Sequence, residues 1–285
     1  MPDHHVLITG STGKTGRRVA DLLEARGLAV RRAGRSAPVR FDWTDPDTWA
    51  PALDGVTDAY LVYPDLGAPH GRQVLRAFAD QAVRQGVERA VVISFPNTGG
   101  DSVDFAEVLA SEQQLTDAGL GLSVLRLRWF SQNFSEDFLH PAVVAGELRL
   151  PAGQGQEAFV DADDIAEVAV ACLTDPRHLG ASYELTGPRL LSFDDVAAEL
   201  SWATGRTITY TPVTVEAFVA HQIAQGVPME WAQMLAGLYG DIASGALASV
   251  SLDVAEVLDT PARDFTDYAA AAAASGIWSS SNHSS

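Results

Sequence analysis

The sequence predicts an α/β fold in which a doubly wound parallel sheet is followed by a smaller, mostly helical region. Three observations lead to this prediction. Short apolar runs alternate with helical patterns up to residue 128, a glycine-rich turn joins the first run to the first helix, and Gly- and Pro-containing connections interrupt the alternation further on. Such alternation favours parallel strands, because each parallel strand needs a crossover and a right-handed helical crossover supplies it.

The elements can be assigned in order along the chain. Strand-like runs cover residues 6–9, 29–33, 39–41, 59–63, 90–94 and 123–127, and helical patterns cover residues 17–26, 48–53, 74–85 and 105–117. Later helices are predicted to begin near residue 163, to follow the capping-box pattern of residues 192–195, and to cover residues 214–225, 230–238 and 269–274. We expect these later helices to form a lid over the carboxyl edge of the sheet.

Composition and charge restrict the class of protein. The net charge of −18 argues against nucleic acid as a partner, whereas eight basic and three acidic residues among the first 40 favour a small anionic ligand there. The one cysteine, Cys172, lies in an apolar run, which predicts a buried thiol and suits a reducing cytoplasm. The sequence shows no signal peptide, membrane-spanning run or metal-ligand spacing, so we expect a cytoplasmic protein that uses neither membrane nor metal.

A glycine-rich loop, GSTGKTG at residues 10–16, directly follows the first strand and opens the first helix. In this context one glycine permits the tight turn, the second lets the backbone approach a pyrophosphate, and the third lets helix and strand pack closely. A bare glycine-rich turn is the alternative, and a nucleoside-triphosphate loop is excluded because Ile8 stands where that motif needs glycine. The motif predicts a Rossmann-type dinucleotide site formed by Gly10, Thr12, Gly13, Lys14, Thr15 and Gly16.

The end of the second strand predicts which dinucleotide binds. An NAD site usually places an acidic residue there for the ribose 2′-hydroxyl, whereas this chain has Gly34-Arg35-Ser36. We assign Arg35, with Lys14 as helper, to the 2′-phosphate of NADPH; solvated surface arginines are the alternative. Asp42 and Trp43 follow the third strand, where the adenine would lie, although Trp43 could equally serve packing.

These patterns divide the chain into three parts. Residues 1–130, with a contribution from residues 156–185, form the predicted NADP-binding domain, and residues 131–155 and 186–275 form the predicted substrate-binding region. Residues 276–285 are predicted to be a disordered tail, because their serine-rich end has little apolar surface.

Five motifs resemble a known family. They are LITGSTGKTG at residues 7–16, FDWTDP at 41–46, WFSQNF at 129–134, FVDADDIA at 159–166 and LTGP at 185–188. The chain resembles the atypical short-chain dehydrogenases of NmrA-like type, and more narrowly the bacterial relatives of the ergot alkaloid reductases that act on iminium intermediates. The resemblance implies that Tyr63, Pro64, Ser94 and Phe95 border the nicotinamide, and that Trp129, Phe130 and Asn133 lie at the mouth of the substrate pocket. For the aromatic residues ordinary packing is the alternative, and Asp163 and Asp164 are expected to cap a helix.

One feature of the wider superfamily is missing. Ordinary members use a tyrosine followed four places later by a lysine to protonate an alkoxide, but Lys14 is the only lysine in this sequence, and Asp104 and Val108 stand at the best-matching positions. Hydride transfer to an iminium gives a neutral amine and needs no such donor.

The missing donor and the resemblance together predict an NADPH-dependent reductase of an iminium or hemiaminal-derived C=N centre. We expect it to act in secondary metabolism, either in biosynthesis or in detoxification as an antibiotic-resistance function. Three residues are candidates for an acid that assists water loss from a hemiaminal: Asp104, Tyr63 and Ser94. The alternatives are a reductase of quinones or cationic dyes, an NADP-binding redox sensor without turnover, and a cyclase or isomerase that reuses the fold. No oligomeric state follows from the sequence.

Overall fold

The computed structural model describes residues 5–97 and 103–279. Its strands are β1 (His5–Ile8), β2 (Ala29–Gly34), β3 (Val39–Arg40), β4 (Asp58–Leu61), β5 (Arg89–Ser94), β6 (Gly121–Leu127), β7 (Glu147–Leu150), β8 (Gln156–Glu157), β9 (Ser182–Leu185), β10 (Leu191–Ser192) and β11 (Thr209–Pro212). Its helices are α1 (Lys14–Ala25), α2 (Trp49–Leu53), α3 (Gly71–Arg84), α4 (Phe105–Asp117), α5 (Asn133–Glu136), α6 (His140–Ala145), α7 (Ala162–Thr174), α8 (Phe193–Thr204), α9 (Val215–Ala224), α10 (Met229–Ala243), α11 (Asp253–Leu258) and α12 (Phe265–Ala274). None of these described helices combines the length and apolar character that a bilayer crossing requires.

Seven strands form one parallel sheet in the order β3-β2-β1-β4-β5-β6-β9. Leu7 of β1 lies opposite Arg31 of β2 on one side and Ala59 of β4 on the other. The chain therefore winds outward in both directions from the pair β1 and β4, and a crevice opens at the carboxyl ends of these two strands. This arrangement confirms the predicted Rossmann-type sheet and places the candidate site at that edge.

The central strands β1, β4 and β5 are buried on both faces, so most of their residues are apolar. Because side chains alternate along a strand, Leu7 packs on the face covered by α2 and α3, whereas Val6 and Ile8 pack on the face covered by α1 and α7. Cys172 of α7 belongs to the second of these cores and is 1% exposed. This position confirms the predicted buried thiol, and burial raises its pKa to about 12.

A third core lies in the C-terminal region and is built largely from aromatic side chains, among them Phe134, Phe159, Phe193, Phe265 and Tyr239. Two small sheets accompany it, one a parallel pair of β7 and β11 and the other an antiparallel pair of β8 and β10. The division of the chain into domains stays a prediction.

The chain's end differs from the sequence prediction. Trp278, inside the predicted disordered tail, is 3% exposed, and its indole nitrogen donates a hydrogen bond of 2.8 Å to the Phe134 carbonyl. The buried Trp278 side chain, with contacts from His140 to the Ile277 carbonyl and from Arg206 to the Trp278 carbonyl, anchors this segment, while residues 280–285 lie outside the described part of the chain.

A second difference concerns the start of α7. Asp163 and Asp164 were expected to cap this helix, but the N-cap is Asp161, whose carboxylate accepts from the Asp163 backbone N–H at 2.7 Å. Asp163 and Asp164 lie in the first turn and instead pair with Arg18 and Arg263. The helix begins at Ala162, one residue before the expected start, and the acceptor at Asp161 satisfies one of its first free N–H groups.

Candidate functional site

The loop between β1 and α1 has the geometry that its glycines predict. Gly10 adopts φ +61°, the left-handed region that favours glycine, and the Gly13 N–H donates to the Gly10 carbonyl at 2.9 Å. At Gly16 an added Cβ would lie 2.3 Å from the Gly10 carbonyl oxygen, far inside van der Waals contact. The turn and the close approach of helix to strand therefore both depend on glycine.

This loop also fits the pyrophosphate of a dinucleotide. Helix α1 starts without a side-chain cap and without an acidic residue in its first turn, so its first N–H groups and its dipole remain available to an anion. Thr12 and Gly13 are exposed at the tip of the loop, and the buried Ser11 hydroxyl has no hydrogen-bond partner among the described residues. Phosphate oxygens would complete the bonding of these donors.

Arg35 is exposed at the turn after β2, and within the described chain no hydrogen bond or ion pair engages its guanidinium. Asp42 lies nearby: its carboxylate accepts hydrogen bonds from the backbone and hydroxyl of Thr44, which lower its pKa, with smaller contributions from Arg35 and Arg40. The guanidinium of Arg35 is thus available for a 2′-phosphate, as its assignment requires.

Trp43 serves packing. Its indole nitrogen donates to the Val62 carbonyl at 2.8 Å, and its ring lies 4.9 to 5.0 Å from the rings of Phe41, Tyr63 and Phe78. Any contact with an adenine would use the remaining exposed edge of this half-buried ring.

A cavity of about 630 Å³ opens at the carboxyl ends of β4, β5 and β6, next to the loop. Eight predicted site residues line it: Lys14, Tyr63, Pro64, Ser94, Phe95, Trp129, Phe130 and Asn133. The prediction missed further lining residues, among them Phe105, Arg128, Asp137, Phe138, Trp231 and Asp241. Trp231 and Asp241 belong to α10, which confirms that a later helix covers this edge of the sheet.

Lys14 contacts residues beside the cavity, and its role as a helper at the 2′-phosphate stays a prediction. Its ammonium donates to Asn133 Oδ1 at 2.9 Å, forms an ion pair with Asp137, and lies 5.5 Å from the centre of the Phe130 ring. The reason is its place at the start of α1, whose first turn faces residues 133–137. The neighbouring Arg17 pairs with Glu136 in the same region.

Ser94 is the centre of a buried polar group beside the cavity. Its hydroxyl is 2.5 Å from Oε1 of Glu112, and Glu112 forms a bidentate pair with Arg126 in which both N···O distances are 2.9 Å. Sequence reasoning missed Glu112, although a signal existed: it lies on the buried stripe of α4 with Val108, Ser111 and Leu115, where a carboxylate needs a partner.

Tyr63 is a weak proton donor. Its ring is 4% exposed, and burial, reinforced by the negative charge of Asp65, raises the pKa of the phenol to about 12. The only lysine in the sequence, Lys14, is held by Asn133 and Asp137. Among the described residues, no cation lowers the pKa of this phenol.

Asp104 has a structural role at the N-terminus of α4. Its carboxylate accepts from the backbone N–H groups of Ala106 and Glu107 at 3.1 and 3.2 Å, and it is exposed. Its neighbours Val103 and Phe105 line the cavity, whereas Asp104 does not. The residue that was a candidate acid is an N-cap.

We therefore expect Asp104→Asn to leave turnover within about twofold of the original, because asparagine caps a helix as well as aspartate. Asp104→Ala should lower the free energy of unfolding by about 1 kcal/mol and leave turnover equally unaffected. Steady-state kinetics and urea unfolding of both variants measure this. A large loss of turnover in a stably folded Asp104→Asn protein would return Asp104 to the acid role.

The sequence and the fold are similar to those of several known proteins. The model of the NmrA-like family matches residues 2–255. The chain is 32% identical to the NAD(P)H azoreductase of Xenophilus azovorans, over 94% of this chain and 98% of that protein. It is also 32% identical to festuclavine dehydrogenase of Aspergillus fumigatus, over 93% of this chain and 96% of that protein.

Among solved structures, the NADPH complex of an NADPH-dependent quinone oxidoreductase from Escherichia coli superposes with a TM-score of 0.74. The two sequences are 25% identical, and the match covers 93% of this chain and 99% of that chain.

Proposed function

Because the chain belongs to the NmrA-like family, we propose that it reduces an electron-poor C=N centre, an iminium or a hemiaminal that loses water to become one. It is an NAD(P)H-dependent oxidoreductase, and NADPH is its cofactor. The C=N substrate, its place in specialised metabolism or detoxification, and the roles of individual residues are the proposed part.

The chain's own residues bind and orient both reactants. The loop after β1 and the start of α1 would hold the pyrophosphate, and Arg35 would hold the 2′-phosphate. NADPH, when bound, supplies the hydride. Trp129 and Phe130 would hold a flat acceptor at the cavity wall, and the apolar lining would exclude water from it.

The observation that carries the C=N proposal is the combination of an aromatic lining with a phenol that is not activated. Aromatic rings wall the cavity, and their faces favour a planar, cationic acceptor, whereas the four charged lining residues, Lys14, Arg128, Asp137 and Asp241, sum to zero. Tyr63, with its raised pKa, is poorly suited to protonate an alkoxide. Hydride addition to an iminium carbon leaves a neutral amine, so this site needs no alkoxide donor.

The test is absorbance at the reduced nicotinamide band, with NADPH and NADH, against a panel of cyclic iminium, hemiaminal and quinone acceptors. We expect consumption of NADPH with the iminium and hemiaminal members. Consumption with quinones alone would replace the C=N proposal by a quinone reductase. Tight binding of NADPH without consumption by any acceptor would favour a redox sensor.

The cofactor assignment makes a separate prediction at Arg35. Arg35→Glu should weaken NADPH binding by roughly tenfold or more and leave NADH binding nearly unchanged, because only NADPH carries the 2′-phosphate that the guanidinium would pair with. Fluorescence titration with both nucleotides measures the ratio. Arg149→Glu, on an exposed arginine of β7, is the matched control, and equal weakening of both nucleotides in Arg35→Glu would contradict the assignment.

A further inference from the structure

We propose that Glu112 and Arg126 are positioning residues that fix the Ser94 hydroxyl as a hydrogen-bond acceptor. The site would thereby select ligands that present a donor, such as the N–H of a protonated imine or the O–H of a hemiaminal, over carbonyl acceptors such as quinones. This inference rests on the proposed function, because it identifies the atom that recognises the C=N substrate within the same cavity.

The Ser94 hydroxyl already donates a hydrogen bond within the protein. Ser94 lies at the end of β5, is 7% exposed and lines the cavity. Its Oγ is 2.5 Å from Glu112 Oε1, and a carboxylate only accepts hydrogen bonds, so the hydroxyl is the donor. Because the acceptor is a carboxylate, the bond is charge-assisted and stronger than a bond between neutral groups.

Arg126 fixes the carboxylate in turn. Its two terminal nitrogens donate to the two oxygens of Glu112 at 2.9 Å each, and one of them also donates to the Phe95 carbonyl at 3.2 Å. The Phe105 ring lies 5.0 Å from the guanidinium carbon. The two side chains are only 14% and 8% exposed, so solvent screens this pair poorly, and the carboxylate cannot rotate away from Ser94 without breaking it.

Ser94 therefore presents oxygen lone pairs to a ligand. Among the described residues, the one other polar contact to its Oγ is a nitrogen of Arg126 at 3.5 Å, at the limit of hydrogen bonding, and that nitrogen has shorter bonds to Glu112 and Phe95. A ligand donor would meet a free acceptor. A ligand carbonyl would meet lone pairs, unless the Ser94–Glu112 bond breaks, so the arrangement discriminates against it.

The experiment compares a ligand that donates a hydrogen bond with one that only accepts. A cyclic secondary ammonium ion and the cyclic ketone of the same ring size are titrated into the NADP⁺-loaded protein, and binding is followed by tryptophan fluorescence, since Trp129 and Trp231 line the cavity. The test variant is Glu112→Leu with Arg126→Met, which removes one charge of each sign and so leaves the net charge beside the cavity unchanged. We expect its preference for the ammonium ion over the ketone to fall about tenfold.

Two further variants sharpen the test. Ser94→Ala should weaken ammonium binding without weakening ketone binding. Adding Ser94→Ala to the double substitution should change the preference for the ammonium ion over the ketone little further, because all three residues act through the Ser94 oxygen. Ser111→Ala removes a buried serine of α4 outside the cavity lining and should leave the preference unchanged. Thermal melting and NADPH titration establish that each variant is folded.

An unchanged preference in the folded double variant would overturn the inference. If that variant does not fold, Ser94→Ala decides: weaker ketone binding would show that Ser94 donates, which is the opposite of the proposal. The readout is binding and needs no hydride transfer. If the protein oxidises no NADPH with any acceptor but the double variant shows the expected fall in preference, the proposed reaction is contradicted and the role of Ser94 is supported. Failure of the proposed function can therefore be distinguished from failure of this inference.

Discussion

We expect Arg128→Met to lower the free energy of unfolding by about 3–5 kcal/mol, the range for removing one partner of a buried ion pair. The side chains of Arg128 and Glu157 are both fully buried, with an N···O distance of 2.9 Å. Arg128 also donates to Glu184 at 2.9 Å, to Ser249 at 3.1 Å and to the Leu247 carbonyl. The substitution leaves the Glu157 carboxylate uncompensated in the interior, and chemical denaturation measures the loss.

The loss should depend on pH. Burial, which outweighs the attraction of Arg128, already raises the pKa of Glu157 to about 7. Removing the arginine raises this pKa further. A carboxyl whose folded pKa is raised contributes stability below its unfolded pKa, and this stability is lost as pH rises through the folded pKa. The difference in unfolding free energy between the original protein and Arg128→Met should therefore be larger at about pH 8 than at about pH 5.5. If the difference in unfolding free energy did not depend on pH, the charge of Glu157 would not be its cause.

The matched control is Arg149→Met. Arg149 also pairs with a glutamate, Glu147, at 3.1 Å, but both side chains are about half exposed. Exposed pairs contribute about 0–1 kcal/mol, so the control should change the unfolding free energy by no more than that. A similar loss in both variants would mean that burial of the Arg128 pair is not the cause.

The second large effect is expected at the phosphate loop. Gly16→Ala should weaken NADPH binding roughly a hundredfold, because its Cβ would lie 2.3 Å from the Gly10 carbonyl oxygen and must displace the loop or the helix. Nucleotide titration measures the affinity, and thermal melting shows whether the sheet survives.

Gly240→Ala is the control for the same chemical change. Nothing lies within 4 Å of a Cβ at Gly240, which is inside α10. This substitution should raise the free energy of unfolding by about 0.5–1 kcal/mol, since alanine loses less conformational freedom than glycine in a helix. Wild-type affinity in Gly16→Ala would show that close packing at this glycine is not needed for cofactor binding.

The sequence was most informative where a local pattern determines structure. Helix α4 occupies the predicted residues 105–117, and the strands before it lie within a few residues of their predicted bounds. The glycine motif could be predicted for the same reason, because turn, pyrophosphate approach and helix packing each depend on the absence of a side chain at a known spacing. Strand β9 and the two small sheets were missed, because their short segments are polar or mix polar and apolar residues, and none contains a continuous apolar run.

The cavity was only partly predictable, because it joins residues that lie far apart in the sequence. Tyr63, Ser94 and Trp129 were predicted from the family resemblance, and all three line the cavity at the carboxyl ends of β4, β5 and β6. Trp231 and Asp241 could not be found in this way, because their position depends on how α10 packs over that edge. The contacts of Lys14 could not be predicted for a related reason: its partners are 119 and 123 residues away.

The position of Lys14 has a consequence for the chemistry of the whole molecule. The sequence contains one ε-amino group, and this amine lies at the cavity, 19% exposed and held by Asn133 and Asp137. Reagents that acylate lysine side chains on most protein surfaces therefore have a single ε-amino target here, inside the candidate active site. Such a reagent would act as an affinity label without being designed as one, and a bound nucleotide or substrate would shield the group that it modifies.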